Sequence, residues 1–246
     1  MGAEYIERPV PSALASHACC VWRQTAGPDG HTQRVLPDGC MDVVWGQNGE
    51  LVIAGVATGP VLVDIPPGET LFGVRFGPGA AGPALGLAAR ELRDQVVTLD
   101  AVWGKAGREL AERLAETPER ERLAVLAAAV AARLREASPA DPLVGHAATL
   151  LAGGLPVAET SREVALGDRH LRRRFHETVG YGPKTLQRVL RMQRFLDLAE
   201  SAGEPDLARA GFEAGYADQP HLTRECRELS GLPPGALLAV RAEGAA

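Results

Sequence analysis

His170-Leu171-x-Arg173-x-Phe175-x-Glu177-x-x-Gly180-x-x-Pro183 returns 51 residues later as His221-Leu222-x-Arg224-x-Cys226-x-Glu228-x-x-Gly231-x-x-Pro234. Every quoted position keeps its residue type except one, where Phe175 gives way to Cys226. A pattern of this length repeated along a chain marks one supersecondary unit built twice. Leu171 and Phe175, like Leu222 and Cys226, stand four apart on one helical face, which is the spacing of a core contact. His170 and Arg173, and likewise His221 and Arg224, stand three apart on a different face and are free to reach outward. Gly180 and Gly231 then supply C-caps, and Pro183 and Pro234 open the next helices as first-turn residues.

What precedes each copy turns a repeated helix into a helix-turn-helix. Residues 157–165 alternate apolar and polar side chains as a short amphipathic helix and run into the break Leu166-Gly167-Asp168. Residues 207–214 do the same before Gly215-Tyr216-Ala217-Asp218. Both breaks are short and contain Gly, as the motif requires. Ser161 and Ala165 in one copy, and Gly211 and Gly215 in the other, are small enough for the paired helices to cross closely. Asp168 and Asp218 fall where an N-cap or first-turn carboxylate belongs.

Across roughly residues 142–240, and most closely through Gly215-Tyr216-Ala217-Asp218-Gln219-Pro220-His221-Leu222-Thr223-Arg224, Gly231 and Pro234, the chain resembles the DNA-binding domain of the AraC/XylS regulators. The resemblance implies seven helices forming two helix-turn-helix subdomains around one long joining helix. Here that helix is residues 183–201, with Leu186, Val189, Leu190, Leu196 and Ala199 on its apolar side. About 18 residues at about 1.5 Å each span about 27 Å. This is close to the approximately 34 Å repeat of B-DNA, so two recognition helices can enter successive major grooves. The resemblance further implies base contacts from Arg169, Arg172 and Arg173 on the first recognition helix, and from Gln219, His221, Thr223 and Arg224 on the second. Arg suits guanine and Gln suits adenine, because each pairs bidentately with the base edge. His170, Lys184, Arg188 and Arg191 are expected on backbone phosphates, and for both histidines a packing role stands beside the DNA-contacting one. Cys226 replaces a usual Phe, Gly211 a usual Ala, and Pro233 a usual Ser or Thr. These departures imply looser packing and a missing cap in the second subdomain.

The formal charge of the 246-residue chain is −5, which taken globally argues against a nucleic-acid partner. Its distribution reverses that. Residues 167–194 hold eight basic side chains (Arg169, Arg172, Arg173, Arg174, Lys184, Arg188, Arg191 and Arg194) against only Asp168 and Glu177. A concentrated basic face is what phosphate binding needs, since each neutralised phosphate releases counterions. No stretch approaches the roughly 18 apolar residues of a membrane span, and the start lacks a signal-peptide pattern. The four cysteines form no CxxC pair, and a reduced, cytoplasmic setting follows.

The first two-thirds of the chain reads as a separate, β-rich unit. Strands are expected at residues 41–45, 51–54, 61–65 and 71–76, punctuated by turns at 46–49 and 66–69. Helices follow at 82–95, 105–116 and 119–135. The fold class is therefore α+β in two domains: a β-rich N-terminal domain, cupin-like by the resemblance, at 1–138 and an all-α domain at 143–241. The linker, 139–142, separates two hydrophobic patterns each expected to fold by itself.

Leu36-Pro37-Asp38-Gly39-Cys40-Met41-Asp42, Gly73-Val74-Arg75-Phe76-Gly77-Pro78-Gly79 and Glu91-Leu92-Arg93-Asp94 resemble the sensory half of a subgroup of these regulators. The implied partners are double-stranded DNA, RNA polymerase, a small effector and a second copy of the chain. Asp42 and Arg75, polar groups within strands, either line an effector pocket or pair with each other. His17, Cys19, Cys20, His31 and Cys40 gather soft ligands, yet their spacing matches no structural zinc pattern. No metal site and no cofactor is expected, and buried thiols commonly serve as core. No catalytic order of Ser, His and Asp, phosphate loop or zinc-protease helix occurs, so the expectation is a regulator and not an enzyme. The alternative is a DNA-repair or thiol- or metal-sensing protein that uses an N-terminal Cys with the same DNA-binding appendage.

Overall fold

The computed structural model describes residues 4–46, 48–201 and 206–244. The expected turn at 46–49 includes Gln47, and the N-terminal domain residues 1–3; these lie outside the described residues. The described residues of the N-terminal half form eight strands: β1 (Glu4–Arg8), β2 (Ala18–Thr25), β3 (His31–Val35), β4 (Met41–Trp45), β5 (Leu51–Ala54), β6 (Val61–Ile65), β7 (Thr70–Phe76) and, after a helical stretch, β8 (Val96–Thr98). They form a six-stranded sheet in the order β1-β2-β7-β4-β5-β8 and a two-stranded sheet of β3 and β6. Pairing β2 with β7, β4 with β5 and β3 with β6 is the nested double Greek key of a jelly roll, the architecture of cupins. β1 and β8 depart from that plan by extending the larger sheet at its two edges.

One face of the large sheet carries the core. Met41, Val43 and Trp45 of β4 and Phe72, Val74 and Phe76 of β7 are buried on it, as the two-residue period of a strand dictates. They pack against α1 (Gly82–Leu85), α2 (Leu99–Trp103), α3 (Lys105–Glu116) and α4 (Glu119–Glu136). The single helix expected over 82–95 is broken: Gly86 caps α1 in the left-handed region at φ 72°, and a 3-10 turn at Ala89–Glu91 leads toward β8. The chain returns so tightly here that a Cβ on Gly55 would sit 1.7 Å from the Leu92 carbonyl oxygen. Gly55→Ala must therefore push two backbone segments apart, at a cost of about 2–3 kcal/mol. A melting temperature several degrees below the parent checks this, and an unchanged one refutes it.

The opposite face of the large sheet looks toward β3 and β6. Gln24 of β2 donates to His31 Nε2 of β3 at 3.4 Å, which fixes the facing sides. By alternation Trp22 and Gln24 line one wall, and Gln33, Val35, Val61 and Val63 the other. Val35, Val61 and Val63 are exposed.

Seven helices follow among the described residues: α5 (Pro142–Ala152), α6 (Val157–Glu163), α7 (Asp168–Thr178), α8 (Pro183–Ser201), α9 (Leu207–Ala214), α10 (Gln219–Ser230) and α11 (Pro234–Gly244). Their starts are chemically marked. Asp141, Asp206 and Asp218 each accept backbone N–H groups at the N-termini of α5, α9 and α10, a cap contributing about 1 kcal/mol apiece. Asp168 is the first residue of α7, with Gly167 before it as the cap. Gly215 and Gly231 cap α9 and α10 at their C-termini. α8 buries Leu186, Val189, Met192, Phe195, Leu196 and Ala199, while Leu190 turns partly out. No helix is long and apolar enough to cross a membrane, among the described residues.

The two hydrophobic patterns are not independent. They join in one contiguous core running from the sheet through Tyr181, Leu186 and Val189. Gln193 of α8 donates to the Pro37 carbonyl at 2.6 Å, and Arg34 of β3 donates to the Ser230 carbonyl, at the end of α10, at 3.0 Å. Arg90 pairs with Glu177 at the end of α7.

Candidate nucleic-acid interface

α7 and α10 are the second helices of two helix-turn-helix units, α6–α7 and α9–α10, joined by the 19-residue α8. Each is amphipathic for the reason its sequence gives. Leu171 and Phe175 bury one face of α7, and Leu222, Cys226 and Leu229 one face of α10. What remains outward is basic. Arg169, His170, Arg172 and Arg173 are exposed on α7, Gln219 and Arg224 on α10, and Thr223 is half-buried beside them. Among the described residues, Arg169, Arg172, Arg173, Lys184 and Arg224 make no ion pair and no hydrogen bond within the protein. Long cations held out in this way keep their full charge for an anionic partner.

Three expected DNA contacts are engaged inside the protein instead. Glu225 of α10 is buried, with only 8% of its side chain exposed. Arg188 Nε donates to its carboxylate at 2.9 Å, Arg191 Nη2 at 2.6 Å and Arg191 Nε at 3.1 Å. Arg188 also pairs with Glu228, and Arg191 lies over the Tyr216 ring at 5.0 Å. Burial pushes the Glu225 carboxyl up, but the guanidiniums of Arg191 and Arg188 outweigh that and hold it below the usual carboxylate range. Arg188 and Arg191, expected on phosphates, thus fasten α10 to α8. His221, expected on a base, accepts from the Ala217 N–H at Nδ1 (3.3 Å), faces Glu225 through Nε2 (3.5 Å) and meets the Tyr216 ring edge-on. These contacts fit the packing role that stood beside the base contact.

Two other members of the basic run are also engaged within the protein: Arg174 pairs with Asp141 at 2.7 Å, and Arg194 donates to the Ala152 carbonyl. A further cation, itself 3.9 Å from the Asp94 carboxylate, comes from outside the run. Arg93, in the turn before β8, lines with Arg172, His176 and Lys184 a cleft of about 620 Å³ between the N-terminal half and α7. Burial, then the charges of Arg172 and Arg93, lower the His176 pKa below the ordinary imidazole value. Arg93 stood in a quoted motif, but nothing in its spacing tied it to α7.

In the N-terminal half, Asp42 and Arg75 face each other across β4 and β7, with Arg75 Nε 3.2 Å from the carboxylate. Trp22 Nε1 donates to Asp42 at 2.6 Å, and Glu7 and Asp38 stand 3.5 and 3.9 Å from Arg75. The pairing alternative thus describes their contacts. Among the described residues no group of three or more His, Cys, Asp or Glu side chains is placed to hold a metal ion.

Residues 160–239 match the model of a family described as a helix-turn-helix domain. Residues 7–98 match a family described as a domain of unknown function, DUF6597. No curated protein matches the chain. Among solved structures, ToxT from Vibrio cholerae O395 is similar over 91% of this chain and 97% of its own, at 10% identity and a TM-score of 0.46. Unsaturated fatty acid bound ToxT from V. cholerae strain SCE256 gives 94% and 96%, at 12% identity and a TM-score of 0.47. ToxT bound to (E)-4-(8-methylnaphthalen-1-yl)but-3-enoic acid gives 97% and 99%, at 10% identity and 0.49. Superpositions this loose bear on neither function nor ligand. The two joined helix-turn-helix units and the family match that covers them agree: residues 160–239 of this chain form a helix-turn-helix domain built twice over.

Proposed function

We propose that the protein reads a specific DNA sequence by laying α7 and α10 into successive major grooves, under the control of a small effector held by its N-terminal half. The observation that carries this is the pair of exposed, unpartnered basic faces on α7 and α10. Arg169, Arg172 and Arg173 on one helix, and Gln219, Thr223 and Arg224 on the other, are the base readers, since Arg and Gln discriminate guanine and adenine by bidentate bonds. His170, Lys184 and Arg93 hold phosphates. The effector site is placed between the two sheets, drawing on the Trp22–Asp42–Arg75 cluster and on the exposed Val35, Val61 and Val63, the mixture of apolar side chains and a few polar groups that ligand sites share. The DNA-binding domain is taken to start after the linker at 139–142. Binding to RNA polymerase and pairing with a second copy complete the reading, in the cytoplasm where the DNA lies.

Selection of duplexes from a random pool by the full chain tests it. Two short sequence elements should emerge, with centres about 10–10.5 base pairs apart on one face of the helix. A pool that shows no enrichment, or only one element, overturns the two-groove reading.

A further inference from the structure

Gly180 and Gly231 hold the same place in the two copies of the repeat, each just past its recognition helix and each in the left-handed region, at φ 94° and 77°. Both abut the N-terminal half, but at different parts of it. A Cβ on Gly180 would stand 2.5 Å from Val56 Cγ1 and 3.1 Å from the Ala89 carbonyl oxygen. Val56 follows β5, and its carbonyl accepts from the Asp94 N–H, ahead of β8, at 2.9 Å. That contact is therefore made by the β5–β8 edge of the large sheet. A Cβ on Gly231 would stand 3.5 Å from Arg34 Nη1 and 3.6 Å from Pro60 Cγ. Arg34 belongs to β3 and Pro60 immediately precedes β6, so this second contact is made by the small sheet. Polar side chains divide in the same way. Arg90, in the turn before β8, pairs with Glu177 of α7, while Arg34 donates to the Ser230 carbonyl of α10 at 3.0 Å.

The two holds differ in firmness. Gly180 is buried between buried Val179 and Tyr181, so α7 meets the large sheet through close apolar packing. Gly231 is exposed, and Arg34 grips α10 through a hydrogen bond. Arg34 Nε is buried with no hydrogen-bond partner among the described residues. A buried donor left without a partner offsets part of what the neighbouring bond contributes. The small sheet is also the less anchored of the two: Val61, Leu62 and Val63 of β6 are exposed, whereas the central strands of the large sheet bury their core-facing side chains.

We propose that the N-terminal half sets the separation of the two DNA half-sites, holding α7 from the large sheet and α10 from the small one, with Arg34 as the positioning residue on the yielding side. This rests on the two-groove reading above. α8 also reaches α10, but through paired side-chain ends at Glu225 and Glu228, which leave the helix room to tilt. Arg34 instead holds a backbone carbonyl at the last residue of α10, and so fixes where that end of the helix lies. One base pair is about 3.4 Å of duplex. A small-sheet displacement of that order changes the separation the protein accepts by one base pair while α7 stays in place.

The test uses the full chain and Arg34→Ala. Without DNA, hydrogen–deuterium exchange in the last turn of α10 should rise by about threefold or more in the variant, with the last turn of α7 unchanged. On DNA, duplexes carrying the two selected elements at separations from about 8 to 13 base pairs are titrated by anisotropy. The parent should prefer one separation, and Arg34→Ala should narrow its preference over the neighbouring separations by about fivefold or more. Affinity for a duplex with one element should stay within about twofold, since the base readers are untouched. A purely stabilising residue would weaken binding at every separation alike, and that result overturns the proposal. Unchanged exchange at α10 overturns the hold itself, whatever the DNA shows. Faster exchange with the parent's separation preference intact overturns the setting of the separation but not the two-groove reading. A parent that binds no paired elements overturns the proposed function, and the setting of a separation with it, while the exchange result still decides whether Arg34 holds α10.

Discussion

Replacing Glu225 by Ala is expected to destabilise the protein by about 2–4 kcal/mol, a fall in melting temperature on the order of 10 °C for a chain of this size. The carboxylate is buried and answers two guanidiniums at 2.6 and 2.9 Å. Removing it leaves Arg188 and Arg191 facing each other with no counter-charge, which is costlier than never having had the pair. Arg191 and Arg188 keep 21% and 29% of their side chains exposed, so water relieves part of that cost and the figure lies below that of a fully buried pair. Glu225→Gln keeps the shape and one acceptor and should lose roughly half as much.

The pH dependence has a definite sign. Glu225 is held below its ordinary pKa in the folded state, so its contribution is present above the unfolded value of about 4.3 and is lost as pH falls through the folded one. Asp42 runs the other way. Burial, against Arg75, pushes it up to about 6, so its contribution is fully present below about 3.9 and lost as pH rises through the folded value. Melting temperatures recorded from pH 3 to 8 should therefore show a shallower acid limb for Glu225→Gln than for the parent. A Glu225→Ala protein that melts within a degree of the parent would remove the ion cluster as the fastening between α8 and α10.

Much of the fold could be read directly from residues. β4, β5 and β6 begin and end where Gly and Pro punctuate runs of Val, Ile and Leu, and α8 starts at Pro183 because proline is tolerated in a first turn. β1 and β3 were not legible: Glu-Tyr-Ile-Glu-Arg and His-Thr-Gln-Arg-Val lie on a sheet edge and on the exposed small sheet, where no buried face imposes alternation. β2 hid behind Cys19 and Cys20, which look like ligands or nucleophiles when read without their strand. The outward placement of Arg169, Arg172, Arg173 and Arg224 was legible, and the ion pairs of Arg188 and Arg191 with Glu225 were not, for a physical reason. Spacing along one helix shows which side chains share a face, but a partner on another helix is invisible to it. Glu225 lies 37 residues from Arg188 and 34 from Arg191. A local count of charges around residues 167–194 therefore scored as free cations that the fold neutralises.

That correction changes what mutagenesis at the interface should show. Arg173→Ala and Arg224→Ala should each relax preference at one or two operator positions, by about 1–3 kcal/mol for the favoured base. Neither should move the melting temperature appreciably, since neither arginine has an ion pair or hydrogen bond to lose among the described residues. Lys184→Ala should weaken binding to every sequence alike and lower the slope of log affinity against log salt by about one unit, because a phosphate contact carries counterion release but no base information. Arg188→Ala looks like Lys184→Ala from sequence, yet should behave differently. It frees Glu225 and Glu228 at the α8–α10 junction, so it should lower the melting temperature and loosen α10's hold on its half-site while leaving the salt slope near that of the parent. Anisotropy titrations against the selected operator, its single-base variants and scrambled DNA, at four salt concentrations, separate these outcomes. If Lys184→Ala alters base preference while Arg173→Ala and Arg224→Ala leave it intact, α7 and α10 do not lie in the major groove as proposed. If Arg188→Ala lowers the salt slope with no loss of stability, its guanidinium leaves Glu225 for a phosphate when DNA binds.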